Sequence, residues 1–94
     1  MSAADSPYPN PNTSGVVHFP LQLSKPDEVS VRIYDIAGAL VDHLPPRPFA
    51  AGDFTRPERA LRWTVPTDLD NGVYQFVLET TSFTRHGKIA LVRD

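Results

Sequence analysis

Apolar and polar residues alternate along this chain in short bursts, each closed by a turn signal. Val29, Val31 and Ile33 alternate with Ser30, Arg32 and Tyr34, which predicts a strand over 28–35 with its apolar side toward a core. Val17, Phe19 and Leu21 alternate with His18, Pro20 and Gln22, predicting a strand over about 15–22. Its place is a sheet edge, because Pro20 has no N–H to donate. Apolar residues resume at Ala39-Leu40-Val41, a strand over about 39–44, and Leu61 and Trp63 flank Arg62 in another. Tyr74, Phe76 and Leu78 share one face of a strand over 73–81, with Gln75, Val77 and Glu79 opposite. Ile89 and Leu91 point inward from a last strand over about 83–92.

Between these bursts lie Ser24-Lys25-Pro26-Asp27, Asp35-Ile36-Ala37-Gly38 and Pro66 to Gly72, all rich in turn-forming residues. Residues 45–60 read as a long irregular loop in which Phe49 and Phe54 fold back over the core, with at most one helical turn at RPERALRW. Residues 1–13, with Pro7, Pro9, Pro11, Asn10 and Asn12, read as a Pro/Asn-rich linker or extended lead-in. No segment keeps a helical apolar period. Six or seven short strands with frequent turns predict an all-β antiparallel β-sandwich over residues 14–94.

Composition narrows the function classes. The 94 residues suit one domain with a modest core, and ten prolines favour turns and strand ends over helix. A formal net charge of −2 supplies no basic field for nucleic acid, and no apolar run suits membrane insertion. The polar N-terminus has no apolar stretch of the signal-peptide kind. Without cysteine there is no disulfide, thiol chemistry or thiolate-bound zinc.

Candidate chemistry is sparse. Gly38 stands alone and leads into a strand, so a β-turn bonded locally by Asp35 fits better than a nucleotide-binding glycine loop. Asp68, Asp70 and Glu79 match three positions of a calcium loop, but the glycine falls one place early and Val73 to Glu79 alternates as a strand. Asp68 and Asp70 are therefore only weak metal candidates. His18, His43 and His86 read as exposed strand residues rather than a metal site. No nucleophile elbow and no pair of carboxylates flanking a cleft is recognisable. Trp63 alternates with Leu61 and reads as core rather than as a sugar-stacking platform. These residues call for no cofactor and no enzyme activity.

The order of features is more specific than any one of them. Pro9-Asn10-Pro11 opens the series; Val31 to Gly38 follows as a strand with a Tyr34-Asp35-x-x-Gly38 corner. Gly72-Val73-Tyr74 then begins a strand, and Lys88 to Val92 closes the chain. From Tyr8 to Arg93 this series resembles the C-terminal sorting domain of the type IX secretion system, and the related Ig-like domain of flagellar hook-capping proteins. Relative to that pattern, Asp53 to Ala60 looks like an insertion. The resemblance implies an Ig-like sandwich of about seven short strands, a non-catalytic domain that directs an N-terminal cargo domain across the periplasm of a Bacteroidetes-like bacterium. Its implied partners are an outer-membrane translocon and a sortase-like enzyme, and its destination is the cell surface or exterior. The segment implied in recognition is Lys88, Ile89, Ala90, Leu91, Val92 and Arg93, with Lys88, Ala90, Val92 and Arg93 accessible. Pro9, Asn10, Pro11, Tyr34, Asp35, Gly38, Gly72 and Tyr74 are implied as structural. Two further readings stay open, an Ig-like structural or spacer module and a carbohydrate-binding module.

Overall fold

Alternation on Val29, Val31 and Ile33 becomes burial on one side: all three are at most 1% exposed, and Glu28 and Arg32 face solvent. The computed structural model describes residues 2–93. Its strands are β1 (Ala3–Ala4), β2 (Val16–Phe19), β3 (Leu21–Leu23), β4 (Asp27–Tyr34), β5 (Leu40–Phe49), β6 (Gly52–Phe54), β7 (Leu61–Thr64), β8 (Gly72–Glu79) and β9 (Thr84–Leu91). All the strand pairs are antiparallel.

One layer is a four-stranded sheet in the order β5-β4-β8-β9. The other joins β2 to β7 and β1 to β3 to β6. In that layer β2 and β3 form one strand line broken at Pro20, and β6 and β7 form its partner, broken by residues 55–60. Counted this way the nine strands make seven strand lines, and the chain is an all-β antiparallel sandwich. Phe19 of one layer meets Phe76 of the other edge to face at 5.3 Å, so the core is shared between layers. Gly87 lies opposite Phe76 in the β8–β9 ladder, and a Cβ there would come within 2.9 Å of the Phe76 ring.

Three expectations change. The edge strand expected at 15–22 is an interior line: β3 lies between β1 and β6, and His18 of β2 bridges to Tyr8. Pro20 is tolerated there because it falls at the break, where its carbonyl accepts from Asp5 N–H at 3.1 Å and no ladder donor is needed. The irregular loop expected over 45–60 contains the second half of β5, all of β6, and a single helical turn closed by Ala60 N–H to Arg56 O at 2.7 Å. Three prolines fit β5 because it pairs only with β4, leaving its other side free, and register irregularities accommodate them.

The third change concerns residues 2–13, which are extended but bound to the sandwich along their length. Ala3 and Ala4 pair with Gln22 and Leu21, Tyr8 exchanges two 2.9 Å backbone bonds with His18, and Asn12 bridges in parallel to Leu91. The segment thus begins in one layer and finishes against the last strand of the other. As a result His18 is not a plain solvent-facing residue. Tyr8 stacks on its ring at 5.2 Å, and its Nδ1 is buried without a partner.

Candidate functional site

The segment singled out by sequence order is β9 and the residues after it. Alternation fixes its two faces: Ile89 and Leu91 are 1% and 2% exposed in the core, whereas Lys88 and Val92 face solvent and Ala90 is half-buried. Pairing of β8 with β9 places Val73 directly across from Ala90 and Gln75 across from Lys88. Pairing of β4 with β8 and β5 continues that second row to Tyr34 and Leu40. One end of the outer sheet face therefore presents Val92, Ala90, Val73 and Leu40 around Tyr34, Gln75 and Lys88. Ile36 stands on the corner at the same end and is 84% exposed. Val73 and Leu40 were not singled out from sequence; strand register, which sequence does not give, brings them beside β9.

Arg93 is less available than its exposed position in the sequence reading implies. Its guanidinium donates to Pro66 O at 3.1 Å and Leu69 O at 2.8 Å, and its backbone exchanges bonds with the Asn71 amide. It closes the turn at 66–71 rather than projecting from the strand. Lys88 remains free on the face.

The edge of β9 is also occupied. Asn10 Nδ2 donates to Lys88 O at 3.1 Å while its Oδ1 accepts from Ala90 N–H at 3.0 Å, so a side-chain amide substitutes for a neighbouring strand's peptide group. Asn12 then supplies true backbone pairing: its N–H donates to Ala90 O at 2.7 Å, and its carbonyl accepts from Val92 N–H at 2.8 Å. The Asn12 side chain is fully buried. It donates to Val16 O at 2.7 Å and accepts from Gly15 N–H at 2.9 Å. Asn12 is the most connected residue of this strap, although the sequence pattern pointed to Pro9, Asn10 and Pro11. Pro9 and Pro11 themselves are exposed. A polar residue fully buried in a short lead-in leaves no periodic signal; only the Pro-Asn-Pro-Asn repeat hinted at it.

The other motif residues are built into turns. At the corner, Asp35 Oδ1 accepts from Ala37 N–H at 3.0 Å and Ala39 N–H at 2.9 Å, and Gly38 adopts φ +88°. The corner's own backbone consumes the Asp35 oxygen that would otherwise meet a ligand. Gly72 begins β8, and Tyr74 is buried with its hydroxyl donating to Asp70 O at 2.6 Å. Burial raises the Tyr74 pKa above the usual phenol value, and the nearby Asp70 and Asp35 charges add to the rise.

No arrangement for metal chemistry forms among the described residues. Asp68 and Asp70 are exposed on the turn, but Glu79 lies at the far end of β8, about 23 Å along the strand from Gly72 by strand rise. It pairs there with Arg32. His43 and His86 stand on opposite edge strands of the four-stranded sheet, about 14 Å apart at ordinary strand spacing, and His18 belongs to the other layer. Trp63 is 2% exposed, and its Nε1–H donates to Asp42 Oδ2 at 2.7 Å, tying β7 to β5 across the sandwich. Its ring is not available for sugar stacking. None of the described segments is a helix long and apolar enough to cross a membrane.

No protein-family model, no curated protein and no solved structure matches this chain.

Proposed function

We propose that this chain is a non-catalytic sorting domain of the type IX kind, carrying an N-terminal cargo domain through the periplasm to the cell surface or exterior. The reading rests on the ordered motifs from Pro9 to Val92. One observation supports it most: the apolar end of the outer sheet face, where exposed Val73 lies across from half-buried Ala90 and exposed Val92 follows the last strand, with Lys88 in the next row. Contiguous exposed apolar residues at a sheet end are what a protein partner covers. Since Asn10 and Asn12 occupy the edge from Lys88 to Val92, the translocon reads the face of that segment and not its edge.

The test is to place residues 1–94 behind a signal peptide and a reporter in a type IX-competent host. The expected result is reporter at the surface or in the medium, lost when Val73, Ala90 and Val92 are all replaced by Asp. Reporter retained in the periplasm with the unaltered domain would overturn the reading.

A spacer module of the Ig-like kind is the second reading. Arg93 favours it, because its guanidinium is held on Pro66 O and Leu69 O and leaves less of the last segment for a partner to read. The buried Trp63 counts against a carbohydrate-binding module.

A further inference from the structure

The segment that interrupts β6 and β7 carries a feature for which the sorting reading has no use. Four arginines, Arg47, Arg56, Arg59 and Arg62, fall in sixteen consecutive positions, against Asp53 and Glu58, in a chain whose formal charge is −2. The end of β5, the helical turn and β7 bring Arg47, Arg59 and Arg62 to one cleft, with Pro57, Glu58 and Ala60 completing its lining. An adjoining cleft shares Arg47, Glu58 and Arg59 and includes Phe49 and Phe54.

Two of these cations are seated on aromatic rings. The Arg47 guanidinium lies 5.0 Å from the centroid of Phe49, and that of Arg59 lies 4.8 Å from the centroid of Phe54. The two rings meet edge to face at 5.1 Å and are buried. Cation–π attraction holds a guanidinium in place without using up its charge, so its N–H groups can still grip an oxyanion. Among the described residues the only ion pair is Arg32 with Glu79, so none of the four arginines is matched to a carboxylate. Asp53 is already engaged by the Thr55 hydroxyl at 2.6 Å and the Thr55 N–H at 3.0 Å. Those bonds, and secondarily the Arg59 and Arg56 charges, hold its carboxyl below the usual range.

We infer that Arg47, Arg59 and Arg62 form a binding site for a ligand with more than one phosphate group. Three cations around one carboxylate, Glu58, two of them held on rings, favour a multiply charged anion over a single carboxylate, which Glu58 would repel. A free polyphosphate and a cluster of phosphate headgroups on a lipid surface share this chemistry. The inference is independent of the sorting reading, since the cleft contains none of the residues assigned to recognition.

Titrating the full chain with inorganic tripolyphosphate at low salt, followed by amide NMR, tests it. Saturable shifts confined to residues 47–62 are expected. Arg47→Gln and Arg59→Gln should each weaken binding by about tenfold, the loss of one charge-assisted bond. Arg32→Gln, which removes the same charge from the outer sheet face, should leave it nearly unchanged. In parallel, sedimentation with phosphatidylglycerol and with phosphatidylcholine vesicles separates the two sources. Binding to tripolyphosphate alone assigns a soluble ligand, and additional binding to phosphatidylglycerol vesicles assigns a headgroup. Shifts that never saturate, that spread equally over Lys25, Lys88 and Arg85, or that persist in a folded Arg47→Gln/Arg59→Gln variant overturn the site. Dispersed amide spectra establish that each variant is folded.

Discussion

The four-stranded sheet has two outer strands, and each edge is closed by a different device. The β5 edge is closed by its own sequence: Pro45, Pro46 and Pro48 lie within the strand, and its ladder with β4 is irregular at two points. Proline offers no N–H to a neighbour, and a kinked strand is a poor template for pairing. The β9 edge is the opposite case, a regular strand of eight residues without proline. Its C-terminal half is closed by another segment, Asn10 to Asn12, which satisfies the backbone of Lys88, Ala90 and Val92 with one side-chain amide and one stretch of main chain. An edge blunted by its own prolines cannot be opened without changing the strand itself. A strapped edge depends on residues far away in sequence, and a single substitution can loosen it.

Asn12→Ala should give the largest effect. It removes three bonds from a fully buried side chain, to Val16 O, Gly15 N–H and Pro9 O, and leaves Gly15 N–H without its acceptor while Val16 O keeps only Ser14 Oγ, a loss of about 2–4 kcal/mol. Urea unfolding measures the loss, and hydrogen exchange at Val92 N–H, which donates to Asn12 O, should accelerate with it. Asn10→Ala acts on the same edge from an exposed position and should cost only about 0.5–1.5 kcal/mol. Equal losses in the two variants would mean that burial of Asn12 is not what holds the strap.

The beginning of β9 is held differently from its end. Asp27, at the start of β4, accepts from Thr81 Oγ1 at 2.7 Å, Thr81 N–H at 3.1 Å, Ser82 Oγ at 3.0 Å and Glu28 N–H at 2.8 Å. These bonds, led by the Thr81 hydroxyl, pull its pKa down to about 2. A carboxylate whose folded pKa is depressed stabilises the fold above its unfolded value of about 3.9. That contribution is lost as pH falls through about 2. The Asn10 and Asn12 amides do not titrate in this window. Acid should therefore loosen the β8–β9 turn before the strap. Urea midpoints between pH 5 and pH 2 should fall less steeply in Asp27→Asn than in the unaltered chain; parallel slopes would remove Asp27 from the account.

The contrast between the two edges also explains what was legible beforehand. Strands such as β4 and β8 announce themselves, because one face meets the core and the other meets water, so the period of two is written in Val29 to Tyr34 and in Tyr74 to Glu79. The sandwich class follows from several such stretches separated by turns, and the inward Ile89 and Leu91 with outward Lys88 were legible for the same reason. The second half of β5 was not, since an edge strand with prolines loses both the alternation and the usual residue types. The strap was hidden because its stability comes from amide hydrogen bonds to β9, nearly 80 residues away, and not from a buried face. The same limit applied to Arg93, whose partners Pro66 and Leu69 are set by folding and not by spacing.

The proline edge should yield the smallest change in stability. Its effect belongs to association instead. Replacing Pro46 and Pro48 by Thr keeps β5 paired with β4 and restores two N–H groups to a strand whose other side is free. Surface substitutions that break no buried contact stay within about 0.5 kcal/mol, so the urea midpoint should barely move. What changes is the edge: a strand with continuous donors and β-branched residues becomes a template for a second copy. Sedimentation velocity over a concentration series should then show a dimer that the unaltered chain does not form. Asn10→Ala, in contrast, loosens the strap while Asn12 still pairs with Ala90 and Val92, and should remain monomeric. If the Thr variant stays monomeric as well, bulges in β5 suffice to close that edge, and the prolines only fix the strand's shape.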